Sequence, residues 1–154
     1  MTTTFLLSEA KFREFTDVND MLDTSLIKNA IREAQDIHLQ RIIGTQLYNK
    51  LLSDVDASSL TGDYQTLVND YIQDFLLYAA YYESLEAIYI RPRNNGLLTP
   101  TGGENSIEVD RSLFNVKRQS VENKMEFYAE KLSQYISENE TLLEAKYPVL
   151  GFTC

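Results

Sequence analysis

Apolar residues recur every three or four positions along most of this chain, which is the spacing of one face of an α-helix. The longest such stretch, residues 63–90, keeps the pattern for about seven turns and contains no Gly or Pro. Asp63 can cap its first turn and Pro92 ends it. Residues 75–82 carry no charge, so we expect neighbours to cover this helix nearly all round. It is predicted to be the central helix of a bundle.

Three shorter helices are predicted before the central one. The pattern places them at residues 9–15, 24–43 and 46–53. Ser8 can cap the first, either Asp23 or Thr24 the second, and Gly44 can end the second. Phe15 in the first helix and Ile37 in the second are predicted to point inward. Residues 1–7 are predicted to form a flexible arm that frays or lies against the body.

The last long helix is predicted to begin after a cap at Asp110 and to end near residue 137. Apolar residues alternate within it by four and three, which indicates a narrow seam of the coiled-coil type. The members of this seam are Val121, Met125, Tyr128, Leu132 and Tyr135.

The connection between the two long helices, residues 91–109, is long for a bundle, where about 2–8 residues are usual. Residues 97–99 and 107–109 flank a Pro-Thr-Gly-Gly turn, so the connection is predicted to be a long loop or a small β-hairpin with a functional role. Residues 138–154 are too apolar for a free tail, and we expect them to dock on another surface.

The predicted fold class is all-α, a bundle of about four to five helices in a single domain spanning residues 1–154. The net charge of −9 argues against general nucleic-acid affinity, which needs a basic surface. The acidic balance is concentrated in residues 1–90, which hold 14 Asp and Glu against 6 Lys and Arg. The single cysteine, Cys154, permits no disulfide within one chain. No apolar run approaches the roughly 20 residues that span a bilayer, so we expect no membrane association.

No constellation of catalytic residues emerges from the pattern. His38, the one histidine, has apolar neighbours one turn away and no evident orienting partner. Asp70 and Asp74 lie one turn apart, but a calcium ion needs several more oxygen ligands. The glycines of residues 96–103 follow no phosphate-loop pattern. We therefore expect no enzyme activity, no metal and no cofactor.

The layout of residues 31–52, IREAQDIHLQRIIGTQLYNKLL, carries a family resemblance. An Ile-x-x-Ala helix leads into a Gly-x-x-Leu-Tyr-x-x-Leu step. The opening LLSEAKFREFTDV, the Asn-Asn-Gly after Arg91-Pro92-Arg93, and the closing YISENETLLEAKYPVLGF fit the same layout. Together they resemble the head–tail connector (head-completion or adaptor) proteins of tailed bacteriophages and prophages.

This resemblance implies a structural virion protein of the neck, made in the bacterial host cytoplasm. Copies would form a ring that matches the twelvefold portal and bridges the portal protein to the tail or the next neck protein. The ring would line the channel through which DNA passes without specific binding, a task that suits an acidic chain because a negative wall repels phosphate.

The resemblance also assigns surfaces. Contacts between subunits are expected in the loop and on a basic strip, at Arg91, Arg93, Asn94, Leu97, Leu98, Thr99, Arg111, Lys117 and Arg118. Docking on the portal or tail is expected at Tyr147, Pro148, Leu150 and Phe152. The alternative is a cytoplasmic helical domain for regulation or protein–protein interaction, which would bind a partner helix through the seam of the last helix.

Overall fold

Helices make up nearly all the regular structure in the part of this chain that the structure describes, and the fold is all-α. The computed structural model describes residues 3–18, 22–89, 91–93, 96–98 and 111–140. Within them lie five helices: α1 (Glu9–Phe15), α2 (residues 24–43), α3 (Thr45–Asp56), α4 (residues 62–89) and α5 (Arg111–Glu138). Two three-residue strands, β1 (Arg91–Arg93) and β2 (Gly96–Leu98), pair antiparallel with Arg91 opposite Leu98.

The sequence predicted a hairpin between residues 97–99 and 107–109. In the structure β2 pairs with β1, the segment that follows α4. Residues 99–110 and the predicted docking tail from residue 141 onward lie outside the described residues.

Side-chain caps begin helices α1 and α2, and a glycine ends α2. Ser8 Oγ accepts a hydrogen bond from the Lys11 N–H at 3.2 Å, which caps α1. Of the two candidates for α2, Asp23 is the cap and accepts from the Ser25 N–H at 2.9 Å. Gly44 separates α2 from α3 with a φ of 82°, a conformation that favours glycine.

Helix α3 continues past its predicted end at residue 53. It reaches Asp56. Lys50 forms an ion pair with Asp54 one turn later, and this pair stabilises as helix a polar segment that was predicted to be a loop.

Helices α2 and α4 each contain a π-helical segment, Ala34–Leu39 and Leu67–Ile72. In the first, the Gln40 N–H bonds to the Gln35 carbonyl, five residues back. The wider turn delays the buried face of α2 by one residue, so the buried series continues from Ala34 to Leu39.

This shift explains one wrong expectation. Ile37 was predicted to point inward but is 46 % exposed. Phe15 was also predicted to point inward and is 59 % exposed, because α1 turns Phe12 to the core and Phe15 is its last residue.

Helix α4 occupies the centre of the bundle and contacts α2 and α5. Six of the eight residues 75–82 are buried, and Tyr78 and Tyr82 are half-buried. The uncharged stretch is therefore covered nearly all round, as its composition predicts.

The N-terminal arm lies against the body from residue 3 onward, with Leu6 and Leu7 buried. The buried side chain of Gln35 accepts from the Leu6 N–H at 2.7 Å and donates to the Thr4 carbonyl at 3.1 Å. Gln73 donates to the Leu6 carbonyl at 3.0 Å. The two amides bond to the arm backbone as a neighbouring strand would, and they replace hydrogen bonds to water.

Candidate interaction surface

Helix α5 packs one face against its own bundle. Val121, Leu132 and Ile136 are buried, and Met125, Tyr128, Ala129 and Tyr135 pack partly buried against the core. This face contains the predicted coiled-coil seam. In the structure the seam therefore lies against the chain's own core, where the alternative interpretation has it facing a partner helix.

Stacked tyrosine pairs hold α5 on α4. Tyr78 stacks on Tyr128 with ring centroids 5.1 Å apart and planes 11° apart. Tyr71 stacks on Tyr135 at 4.0 Å and 18°. Both tyrosines on each helix are seven residues apart, so the two pairs repeat after two helical turns.

A row of lysines follows the same repeat. Lys124 Nζ lies 5.9 Å from the centroid of the Tyr78 ring, and Lys131 Nζ lies 5.6 Å from that of Tyr71. These distances allow cation–π attraction, which is worth about 0.5–1 kcal/mol at exposed sites. The signal in the sequence is the seven-residue spacing that the tyrosines of both helices share with the lysines, and sequence reasoning missed it.

Lys117 continues the lysine row at the amino-terminal end of α5 but contacts a carboxylate. Its Nζ donates to Asp17 Oδ2 at 2.8 Å and lies 5.2 Å from the centroid of the Tyr81 ring. The Tyr81 hydroxyl donates to the other Asp17 oxygen. Asp17 thus joins the segment after α1 to both α4 and α5.

Asp17, Tyr81 and Lys117, which we call the Asp17 cluster, shift each other's pKa values. The hydrogen bonds from Lys117 and then Tyr81 lower the pKa of Asp17. Burial, followed by the bond to the Asp17 carboxylate, raises the pKa of Tyr81 to about 12. The hydrogen bond to Asp17 raises the pKa of Lys117. The folded state therefore favours the charged carboxylate and ammonium.

The structure places the predicted subunit-contact residues in different surroundings. Lys117 bonds to Asp17, and Arg118 donates to the Tyr82 hydroxyl from Nε at 3.1 Å and Nη2 at 2.8 Å, so both contact their own chain. Arg111 is exposed at the start of α5. The remaining residues fall on the connection or the tail. Arg91 and Arg93 lie in β1 and Leu97 and Leu98 in β2, while Asn94, Thr99, Tyr147, Pro148, Leu150 and Phe152 lie outside the described residues.

The outward face of α5 carries an apolar surface that sequence reasoning also missed. Leu113, Val116 and Phe127 are 66 %, 67 % and 60 % exposed. With Ser120 and Asn123 between them, they recur by three and four along one line, which we call the outward stripe.

An open groove of about 640 Å³ follows the outward stripe from Val116 to Phe127, and Tyr78 and Tyr128 form part of its wall. Because large apolar side chains are exposed here on one helix face, this face is a candidate interaction surface.

His38 has a partner that the sequence did not indicate. Its Nε2 lies 2.6 Å from Glu83 Oε1 on α4, and its ring meets the Tyr82 ring edge-on at 6.4 Å. This contact joins α2 to α4 through polar groups.

Among the described residues no three His, Cys, Asp or Glu side chains group closely enough to hold a metal ion. Within the same part of the chain, no helix is long and apolar enough to cross a membrane.

The comparison with protein families matches residues 39–148 to DUF6712, a family of unknown function. The chain belongs to this family. The match covers the Gly-x-x-Leu-Tyr-x-x-Leu step, the central helix and all of α5. Comparisons with curated proteins and with solved structures give no significant match.

Proposed function

We propose that this DUF6712 protein is a head–tail connector subunit of a tailed bacteriophage or prophage. The observation that carries the proposal is the sequence layout, which resembles connector proteins from the opening LLSEAKFREFTDV to the closing YISENETLLEAKYPVLGF. Copies of the chain form a ring between the portal protein and the tail or the next neck protein. The protein belongs in the virion neck after synthesis in the host cytoplasm.

The geometry supports a role in assembly. The bundle presents large apolar side chains outward on α5, at Leu113, Val116 and Phe127, where a protein without partners would have polar groups. The two stacked tyrosine pairs between α4 and α5 have partly buried rings, the amphipathic character that suits a partly wet interface.

The connection after α4, residues 91–109, is assigned to contacts between subunits. As a long loop or a small hairpin it brings Arg91, Arg93 and Leu97 to the next copy, and Arg111 at the start of α5 contributes to the same contact. The positive charge of these arginines is attracted by the net negative charge of residues 1–90 in the neighbour. Lys117 and Arg118 already bind Asp17 and Tyr82 in their own chain, so their contribution to the ring is indirect.

The tail is assigned to docking on the portal or the next neck protein, through Tyr147, Pro148, Leu150 and Phe152. The net charge of −9 supports a place on the DNA channel. DNA passes a negative wall without binding because like charges repel.

The test is electron microscopy of the purified chain mixed with the portal protein encoded beside it. We expect a ring of this protein on the portal. A variant with residues 94–105 replaced by a short Gly-Ser linker should keep the melting temperature of the monomer and form no ring. A wild-type chain that leaves the portal bare would overturn the connector proposal. If the shortened variant forms normal rings, the connection is not part of the interface between subunits.

A further inference from the structure

The outward stripe of α5 runs between two edges of opposite charge. At about 100° per residue, Lys124 and Lys131 lie roughly 60° and 40° to one side of Phe127. By the same measure Glu130 and Glu126 lie roughly 60° and 100° to the other side. We call these pairs the lysine edge and the glutamate edge. All four charged side chains are exposed.

We propose that the outward stripe binds a second copy of this chain, with the two stripes facing each other and the α5 helices parallel. The lysine edge of each copy then meets the glutamate edge of the other, and Phe127 of both copies is covered between them. An antiparallel pair would bring lysine edges together and glutamate edges together, which is repulsive. The charge pattern therefore selects the parallel arrangement.

Because both edges of each copy face the same partner, this contact is isologous and closes as a two-fold dimer. A ring built from such dimers rests on the connector function proposed above, whereas the contact itself rests on α5.

The lysines keep this role while they contact the tyrosines. The ammonium groups of Lys124 and Lys131 lie more than 5 Å from the ring centroids of Tyr78 and Tyr71, and both side chains are exposed. An ammonium has three donors, so a carboxylate of the next copy can accept from the solvent side. The groove beside Phe127 has room for side chains of the neighbour.

With three large apolar residues, the stripe supplies only a small part of a standard interface, which has about 20–30 residues per partner. Association of the free chain is therefore expected to be weak and reversible. Sedimentation velocity from micromolar to millimolar protein, at low and high salt, measures it. We expect concentration-dependent association that high salt weakens, since exposed charges are screened.

The decisive variants reverse one edge at a time. E126K/E130K has lysine on both edges, and K124E/K131E has glutamate on both. Each alone should associate roughly tenfold or more weakly than wild type, because like edges meet. An equimolar mixture of the two should associate again, because unlike edges meet in every contact. Failure of the mixture to associate would overturn the parallel arrangement.

The apolar part of the contact is tested by Phe127→Ser against Ile37→Ser. Both residues are exposed and apolar, but only Phe127 lies on the outward stripe. We expect Phe127→Ser to reduce association and Ile37→Ser to leave it unchanged. Far-UV circular dichroism melts check that each variant is folded, and equal effects of the two serines would contradict the assignment.

Two further outcomes separate this inference from the connector proposal. A wild-type chain that stays monomeric at millimolar concentration overturns the contact, even if rings form on a portal through other surfaces. Truncation after Asn139 that strengthens self-association shows that the tail of the same chain covers the stripe, which also overturns it. If self-association changes as the edge variants predict while the chain binds no portal, that result supports this contact and overturns only the connector proposal.

Discussion

Individual polar residues join the helices of this bundle as directly as the apolar core does. Asp17 accepts from Lys117 on α5 and from Tyr81 on α4. Gln35 uses both ends of its amide on the backbone of the N-terminal arm. Both residues come from segments that are distant in sequence from their partners, so each one stabilises tertiary rather than local structure.

The Asp17 cluster makes stability depend on pH. Because Lys117 and Tyr81 lower the pKa of Asp17 in the folded state, its contribution is complete above the unfolded pKa and is lost as the pH falls through the folded value. We expect Asp17→Asn to lower the free energy of unfolding at pH 7 by no more than about 1 kcal/mol, since surface ion pairs are screened by water, and the Asp17 side chain is 64 % exposed.

Thermal melts from neutral to acid pH check this prediction. The difference between Asp17→Asn and wild type should close as the solution becomes acidic. Glu14→Gln, a matched change at an exposed site on α1, is the control and should show little difference at any pH. A gap that persists unchanged in acid would show that the carboxylate charge is not the cause.

Gln35 offers a second test at the same scale. Gln35→Leu keeps the approximate volume but leaves the Leu6 N–H and the Thr4 carbonyl without their amide partner. An unsatisfied buried group costs about 1–3 kcal/mol, so we expect a loss of that size in urea unfolding. Hydrogen exchange at Leu6 should accelerate with it. The control is Gln65→Leu on the exposed side of α4, which should unfold like wild type.

At the scale of elements, α5 is held on α4 by a pattern that repeats every two turns. Each repeat consists of a stacked tyrosine pair and a lysine over one ring. The stacks flank the outward stripe, because Tyr78 and Tyr128 form part of the wall of its groove. One helix therefore serves both the core and an external surface.

A double-mutant cycle measures the strength of one stack. We expect Tyr78→Leu and Tyr128→Leu to be coupled by about 0.5–1.5 kcal/mol, the usual worth of an aromatic pair beyond its buried area. The free energies of unfolding of the wild type, both single variants and the double variant give the coupling. The matched control is the cycle of Tyr78 with Tyr135, two tyrosines that stack on different partners. Equal coupling in both cycles would mean that the stacks contribute nothing specific.

At the scale of the whole molecule, the described helices share one core and leave an apolar face of α5 exposed. The buried cluster includes residues from Leu6 to Ile136. The tail from residue 142 to 152 carries six further large apolar residues. We expect those residues to dock on a partner.

Truncation after Asn139 tests this division. We expect the shortened chain to keep its helical content and its cooperative melt, because the described helices bury a large apolar cluster between them. We also expect it to lose binding to the portal or neck partner, measured by co-sedimentation, since burial contributes about 25 cal/mol per Å² of apolar surface. Loss of the cooperative melt would instead place the tail in the subunit's own core.

The sequence by itself determined the helices of this protein, because capping and a 3.6-residue period are local properties. Ser8, Asp23 and Gly44 mark their ends in the sequence as they do in the structure. The uncharged run 75–82 likewise showed that α4 is central, since no polar side remains to face water.

Only the tertiary structure decided which side of each helix meets which neighbour. The π turn in α2 moved Ile37 outward, and a one-residue shift of this kind leaves no trace in a hydrophobic pattern. The partners of Asp17 and His38 lie 100 and 45 residues away, distances over which no local spacing rule applies. The outward stripe remained hidden for the same reason, because an apolar residue predicts burial without saying whether its own chain or another one supplies the cover.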